Sequence, residues 1–202
     1  MNKIKRLTAA LLAAVIMTAT QVTPAFAAEM PFAGATPEQQ ILINSSLDVL
    51  PAPIIAMLGK YQRQITTPQW LAANCEPAYP GNITTASVDV WVNGAGKIVQ
   101  REVYISPGPR MIPYLFHELG HIIVYEQEDA KGWDITNTPE FQQIFIEEAP
   151  LAALSAYDKT DPGEYFAESF AMFYLNPAAL AACPKTVSYI ASVVNSYQEP
   201  QQ

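Results

Sequence analysis

The sequence predicts an α+β fold, a single domain in which a small, mostly antiparallel sheet precedes a mainly helical C-terminal half. Two β-prone runs flank Asn93-Gly94-Ala95-Gly96, which is typical of a hairpin turn. Downstream, residues 138–140, 161–164 and 184 each indicate a helix start, with proline at or near the first helical position. Because strands and helices occupy separate stretches of the chain, the arrangement is α+β rather than alternating and parallel.

The first 27 residues predict a signal peptide. They combine a basic start with Lys3, Lys5 and Arg6, an apolar run over residues 7–17, and the small residues of Ala25-Phe26-Ala27 that signal peptidase requires. The apolar run is too short to span a bilayer, and no later run reaches roughly 18 apolar residues. We therefore expect a secreted, extracellular protein with no membrane contact after cleavage.

Length and charge limit the organisation and the partners. With residues 1–27 removed from a chain of 202, the remainder suits one domain over residues 28–198 and a frayed tail at 199–202. The formal net charge of −8 becomes −11 once the three basic residues of the signal peptide are lost. Such an acidic protein repels phosphate backbones, so nucleic acid is excluded as a partner. The oligomeric state is left open, with a monomer as the default.

Two cysteines, Cys75 and Cys183, would enter an oxidising compartment. A disulfide closing a long loop is one interpretation, and two buried small apolar side chains are the other. Their spacing matches no zinc motif.

The N-terminal elements follow from capping signals and short apolar runs. Thr36-Pro37-Glu38-Gln39 combines a cap, a first-turn proline and a capping-box glutamine, so it predicts a helix start. This helix should end near Pro51. A short helix over residues 53–58 and a short strand over residues 62–65 are expected next.

The later elements follow from alternation and from proline signals. Residues 87–92 alternate valines with other side chains and pair with residues 97–105 in the predicted hairpin. Ser106-Pro107-Gly108-Pro109 then interrupts the sheet. The helices expected after it cover residues 111–126, 138–148, 161–175 and 184–197.

His117 and His121 lie four residues apart, with Glu118 directly after the first histidine. Positions i and i+4 share one face of a helix, so both imidazoles can point at one ion. For the two histidines of this chain, chance gives this spacing with an adjacent glutamate in fewer than roughly one case in a thousand. Two structural histidines would need buried partners that one ion supplies more simply. The motif therefore predicts a zinc site in which Glu118 takes a proton from an activated water.

A catalytic zinc ion needs a third protein ligand, and the chain has no third histidine. The best candidate is Glu164, with Glu168 one turn later on the same helix face. There Glu168 can accept a hydrogen bond from a ligand histidine and select its tautomer. Tyr165, Phe166 and Phe170 make this helix too apolar for its acidic residues to be ordinary surface positions.

The spacing of these motifs resembles a known family. His-Glu-Leu-Gly-His at 117–121, Tyr157, and Glu-Tyr-Phe-Ala-Glu at 164–168 resemble the peptidase domain of anthrax lethal factor and its small secreted relatives, the bacterial Pro-Pro endopeptidases. The resemblance runs from about residue 88 to residue 196. It implies a zincin-like metallopeptidase domain with protein or peptide substrates.

The resemblance also implies a role for each site residue. One zinc ion would be bound by His117, His121 and Glu164. Glu118 would be the catalytic base, and Glu168 would hold a ligand histidine. Tyr157 would stabilise the oxyanion, which a phenol hydroxyl can do by donating a hydrogen bond.

The region before the first histidine departs from the family pattern. Residues 87–97 do not align residue by residue with the Pro-Pro endopeptidases, in which this region contacts substrate. Trp91 is the candidate substrate-binding residue here, and a packing role on an alternating strand is the alternative. The hairpin also offers an edge to which an extended peptide can add as a strand.

These features together predict a secreted zinc-dependent metalloendopeptidase that cleaves internal bonds of extracellular or cell-surface proteins. One alternative is a Pro-Pro-specific endopeptidase of the same family. The other is a secreted module in which zinc only ties helices together, although closed structural sites usually recruit four protein ligands.

Overall fold

A computed structural model describes residues 30–75 and 84–197. The predicted signal peptide at 1–27 and the predicted frayed tail at 199–202 lie outside these described residues. Within the described part of the chain, no helix is both long and apolar enough to cross a membrane.

Among the described residues, the segment 30–75 contains three short helices and one strand. The bounds are α1 Pro37–Leu47, α2 Ala52–Gly59, β1 Gln62–Ile65 and α3 Pro68–Asn74. The predicted capping box is present, since Thr36 Oγ1 accepts from Gln39 N at 3.3 Å and Gln39 Oε1 accepts from Thr36 N at 2.8 Å. Helix α3 was not predicted, although Thr67 caps it in the same way by accepting from Trp70 N at 3.2 Å.

The sheet has three strands in the order β1-β3-β2, with β2 at Ala86–Val92 and β3 at Ile98–Ile105. The hairpin is confirmed, and β2 pairs antiparallel with β3 over seven residue pairs. β1 pairs with β3 in parallel over four residue pairs, so the sheet is mixed with a longer antiparallel part. The hairpin connects β2 directly to β3, so these two strands must be antiparallel. The segment that contains α3 separates β1 from the hairpin, and β1 can therefore lie parallel to β3.

Four longer helices follow the hairpin: α4 Met111–Lys131, α5 Pro139–Glu148, α6 Pro162–Leu175 and α7 Pro184–Ser196. Helix α4 continues beyond the predicted end at residue 126. It ends at Gly132, whose φ of 78° lies in the left-handed region and whose N–H donates to Glu128 O at 2.7 Å. The α+β class is confirmed.

Helices α4 and α6 cross at very short range. A Cβ atom added at Gly120 would lie 2.5 Å from Ala167 Cα, so only glycine fits at this position of α4. Tyr165, Phe166 and Phe170 of α6 are fully buried in the adjoining core. This crossing sets the distance between the helix with the histidines and the helix with the paired glutamates.

A buried carboxylate joins α4 to the sheet. Glu126 is 5% exposed, and its Oε1 accepts from Arg101 Nε of β3 at 2.5 Å. It also forms an ion pair with Lys60, which follows α2. Arg101 Nη2 reaches Asp129 Oδ2 of α4 at 3.3 Å. Polar contacts therefore hold α4 against the central strand β3 and against the residue that follows α2, in addition to apolar packing.

We expect the two cations at Glu126 to contribute very unequally to stability. The Arg101 side chain is 19% exposed and that of Lys60 is 53% exposed. Arg101→Met should lower the free energy of unfolding by about 2–3 kcal/mol, because it removes a charged donor from a buried carboxylate. Lys60→Met should cost less than about 1 kcal/mol, because its charge stays largely solvated. Urea unfolding of both variants measures the difference, and equal losses would contradict it.

Both cysteines are free thiols in the structure, and both are buried. Cys183 has no exposed surface, and its Sγ donates to Glu148 O at 3.4 Å. The sequence left open a disulfide or two buried apolar side chains. The structure agrees with the second interpretation.

Candidate metal centre and active site

The two histidines of α4 project from one face of the helix, as their spacing predicts. His117 Nε2 and His121 Nε2 lie 3.1 Å apart. Glu118 follows His117 and is 6% exposed, although it lines the same cleft. The helix thus presents two imidazole nitrogens to one point and holds a shielded carboxyl group beside them.

Glu164 approaches this point from the first turn of α6. The Asp161 side chain caps that helix by accepting from Gly163 N at 2.7 Å and from Glu164 N at 3.3 Å. Glu164 Oε2 lies 3.2 Å from His117 Nε2, and its Oε1 lies 3.7 Å from His121 Nε2. The structure therefore brings together the three residues that the sequence predicts as metal ligands.

The three side chains fit a divalent metal ion. One ligand atom from each of them lies within 4.8 Å of the other two. Glu164 Oε2 is buried and accepts no hydrogen bond of acceptable geometry, despite its short distance to His117. Leaving a carboxylate oxygen buried without a partner is costly, and a cation at the shared point would satisfy it. Two imidazoles and one carboxylate form a ligand set found in catalytic zinc sites.

Glu168 lies behind the first histidine. Its Oε2 is 3.0 Å from His117 Nδ1, on the side of the ring that faces away from Glu164. A carboxylate at this nitrogen keeps the proton on Nδ1 and leaves Nε2 free to bind an ion. Glu168 therefore stands where the sequence predicts it.

The charges of the site are strongly coupled. Burial disfavours a charged His117, but the neighbouring carboxylates of Glu164 and Glu168 outweigh burial and raise the pKa of His117 to about 10. Burial by itself would raise the pKa of the Glu164 carboxyl group, yet the nearby His117 and His121 hold that pKa well below the usual range. The carboxylates thus favour positive charge at the point where the two imidazoles converge.

Glu118 has a different environment. Burial raises the pKa of its carboxyl group, and attraction to His117 and His121 counteracts part of this rise. A raised pKa makes a carboxylate a better proton acceptor near neutral pH. The position and the basicity of Glu118 are therefore both suited to proton transfer.

Tyr157 reaches the cleft from a short 3₁₀ turn, Tyr157–Lys159. Flanking residues secure this turn: Ser155 N donates to Asp158 Oδ2 at 2.9 Å, and Asp158 N donates to Ser155 Oγ at 3.3 Å. Asp158 is buried, with 8% of its surface exposed, whereas Ser155 is exposed. These two hydrogen bonds help to hold the Tyr157 phenol group in the wall of the same cleft as the histidines.

The cleft has a volume of about 450 Å³. Residues 84–88 at the start of β2 form one wall. Trp91 is not among the residues that line the cleft. It lies near the hairpin turn, opposite Gln100 of β3, and is 44% exposed. The first and last residues of β2 are about 20 Å apart, because six steps of extended strand separate them. The two ends of β2 therefore lie at very different distances from the histidines.

Arg110, Tyr114 and Tyr125 are among the cleft residues that were not predicted from the sequence. The Tyr125 ring is stacked on that of His121, with centroids 6.4 Å apart and an angle of 23°. All three extend the helix face of the histidines, since the steps from 110 to 114, 117, 121 and 125 are three or four residues. That spacing is visible in the sequence and would have found them.

Comparisons with known proteins found a similar solved structure, a similar sequence and a matching family model. A solved structure of the Pro-Pro endopeptidase (PPEP-2) from Paenibacillus alvei matches 81% of this chain and 95% of its own, with a TM-score of 0.54 and 16% identity. This likeness confirms the α+β, zincin-like fold. A Pro-Pro endopeptidase from Clostridioides difficile (strain 630) is 33% identical over 81 residues, which are 38% of this chain. The match spans about a third of that relative, 33% of its length.

The family model described as anthrax toxin lethal factor, N- and C-terminal domain, matches residues 87–193. That range is more than half of the chain and contains the motif helix α4, the turn of Tyr157 and helix α6. The chain therefore belongs to the anthrax toxin lethal factor domain family.

Proposed function

We propose that this chain is a secreted zinc-dependent metalloendopeptidase that hydrolyses internal peptide bonds of extracellular or cell-surface proteins. The observation that carries the proposal is the convergence of His117, His121 and Glu164 on one point beside the buried Glu118. These three side chains would hold one zinc ion. Family membership supports the same reaction class.

Glu118 would be the proton carrier of the reaction. When bound, a zinc ion supplies Lewis acidity, which polarises the scissile carbonyl group and lowers the pKa of a water molecule at the site to about 7. The Glu118 carboxylate would accept the proton of the attacking water and deliver it to the leaving nitrogen. Its shielded position and raised pKa support this role.

Two further side chains would assist the reaction. Tyr157 would donate a hydrogen bond from its hydroxyl group to the carbonyl oxygen as that oxygen becomes negative, and its place in the cleft wall supports this role. Glu168 would hold the His117 ring through the contact of 3.0 Å at Nδ1.

The proposal extends to location and organisation. We propose that residues 1–27 direct secretion and that residues 28–198 form one metallopeptidase domain, monomeric by default. The substrate would be an extended protein or peptide segment. Strand β2 supports this, because it is an outer strand of the sheet and its first residues line the cleft.

A Pro-Pro-specific endopeptidase is the second candidate. It is favoured by the relatives, since the protein from Clostridioides difficile and the structure from Paenibacillus alvei both bear the name Pro-Pro endopeptidase. Trp91 remains the candidate substrate contact predicted from the sequence, although it lies outside the cleft lining.

The test combines zinc analysis of the mature protein with cleavage-site profiling on a peptide library that includes adjacent prolines. Bound zinc with cleavage at internal bonds is the expected result. Cleavage confined to bonds between prolines would select the narrower candidate. Bound zinc without cleavage of any peptide would overturn the proposal and support the non-catalytic zinc-binding module.

A further inference from the structure

Arg110 stands at the rim of the cleft, directly before helix α4. Its guanidinium carbon lies 5.2 Å from the centre of the Tyr114 ring, and both residues line the cleft. Stacking on an aromatic face restricts the orientation of a guanidinium group while leaving its N–H donors available. The side chain is thus presented to the cleft in a defined position.

The guanidinium group of Arg110 is not committed to an acidic partner within the part of the chain that the structure describes. Lys60, Lys97, Arg101 and Lys185 each form an ion pair there, and Arg110 forms none. Arg110 is exposed to solvent, and its side chain forms no capping hydrogen bond with α4. Five N–H donors at the rim therefore remain available to a ligand.

The rest of the cleft has the opposite charge. Apart from the histidines, the other charged side chains in the described lining are Glu118, Asp158, Glu164 and Glu168. A bound zinc ion would offset part of this negative charge, but the four carboxyl groups would still disfavour an acidic group of a substrate near them. Such a group would be attracted at Arg110, where a planar carboxylate matches the guanidinium fork.

We propose that Arg110 binds a carboxylate of the substrate and thereby determines specificity at one position. This inference rests on the proposed peptidase function. Arg110 precedes His117 by seven residues, which is about 10 Å along a helix at 1.5 Å per residue. An extended peptide covers that distance with about three residues at 3.3 Å each. These figures compare Cα positions, and the long Arg110 side chain adds to its reach, so the bound carboxylate belongs roughly two to four residues from the scissile bond.

Such a carboxylate has two possible sources, an acidic side chain within the peptide or the free C-terminus of a short peptide. Zinc-loaded wild-type protein is assayed on peptides built around a bond that it cleaves. One set carries a single glutamate moved through positions two to four on either side, each matched by glutamine and by lysine. A second set ends three residues after the bond, with a free or an amidated terminus.

Arg110→Gln and Arg110→Glu are compared with Lys131→Gln. Lys131 is the matched control, because it lies at the far end of α4 and its ammonium group is 5.6 Å from the Trp133 ring centre, outside the cleft lining. We expect Arg110→Gln to lower kcat/KM about fivefold to tenfold for one carboxylate-bearing peptide, chiefly through KM, and to leave its neutral partner unchanged. Arg110→Glu should favour lysine at that position, and Lys131→Gln should change neither preference.

The peptide set that responds identifies the source of the carboxylate. Equal glutamate-to-glutamine ratios and equal free-to-amidated ratios in wild type and Arg110→Gln would overturn the inference and leave the peptidase function intact. A zinc-loaded wild type that cleaves no peptide would overturn the peptidase function and the inference with it.

Discussion

Glu118→Ala is expected to lower kcat/KM for peptide hydrolysis by at least about 10²-fold to 10⁴-fold while zinc remains bound. The carboxyl group of Glu118 is buried next to the converging ligands but is not one of them. Removing it would therefore eliminate the proposed proton acceptor and leave the three proposed metal ligands in place. The loss should appear in kcat and kcat/KM together, because proton transfer occurs in the transition state.

The measurement pairs zinc content with peptide hydrolysis, and Glu118→Gln serves as a second variant that preserves volume. Glu128→Ala is the control, since Glu128 is an exposed acid of the same helix, α4. Thermal unfolding should show no large loss for Glu118→Ala, because the change removes a buried charge. If either Glu118 variant hydrolysed peptides at the wild-type rate, the assignment of the base would be wrong.

Gly120→Ala should have the largest effect on the integrity of the site. Helix propensity alone predicts a gain of about 0.5–1 kcal/mol, since glycine disfavours helix interiors. The crossing predicts the opposite, because the new Cβ would lie 2.5 Å from Ala167 Cα, a backbone atom that cannot rotate away. We expect a loss of about 3 kcal/mol or more in the free energy of unfolding, at the upper end of overpacking costs.

Metal binding should weaken together with stability in this variant. Glu164 and Glu168 both lie on α6, so separating α6 from α4 moves both carboxylates away from His117. Glu164 is the proposed zinc ligand, and Glu168 holds the His117 ring. Chelator competition measures the affinity for zinc, and urea unfolding measures the stability of the metal-free protein. Metal affinities at misplaced ligands fall steeply because coordination requires distances within about 0.2 Å.

Two further variants separate the crossing from other causes. Gly94→Ala is the control, because a Cβ there meets no atom within 4 Å. Ala167→Gly should not rescue Gly120→Ala, since the nearest atom is the Cα of residue 167 rather than its Cβ at 3.1 Å. A Gly120→Ala protein with wild-type stability and zinc affinity would show that the helices separate without cost.

The chemistry of the site was more predictable than its surroundings. The i, i+4 spacing of His117 and His121 is a property of a single helix, so the sequence shows it directly. Glu164 was harder to predict, because it lies far from the histidines in the chain and other acidic residues are also candidates. The apolar residues beside it in the predicted helix favoured it.

The wall of the cleft was less predictable. The alternation of β2 indicates a strand, but it does not indicate which end of the strand approaches the histidines. The structure has residues 84–88 in the lining, whereas Trp91 lies near the hairpin turn. Arg110 lies about two helical turns before His117, so the motif of residues 117–121 does not indicate it.

The sequence by itself determined the elements that short-range rules govern: the capped helices, the hairpin and the helix face that carries the two histidines. Only the tertiary structure decided the parallel entry of β1, the free state of both cysteines and the contact of Gly120 with Ala167. The physical reason is range. Capping and periodicity act within a few residues, whereas strand order and helix crossing depend on packing between segments far apart in the chain.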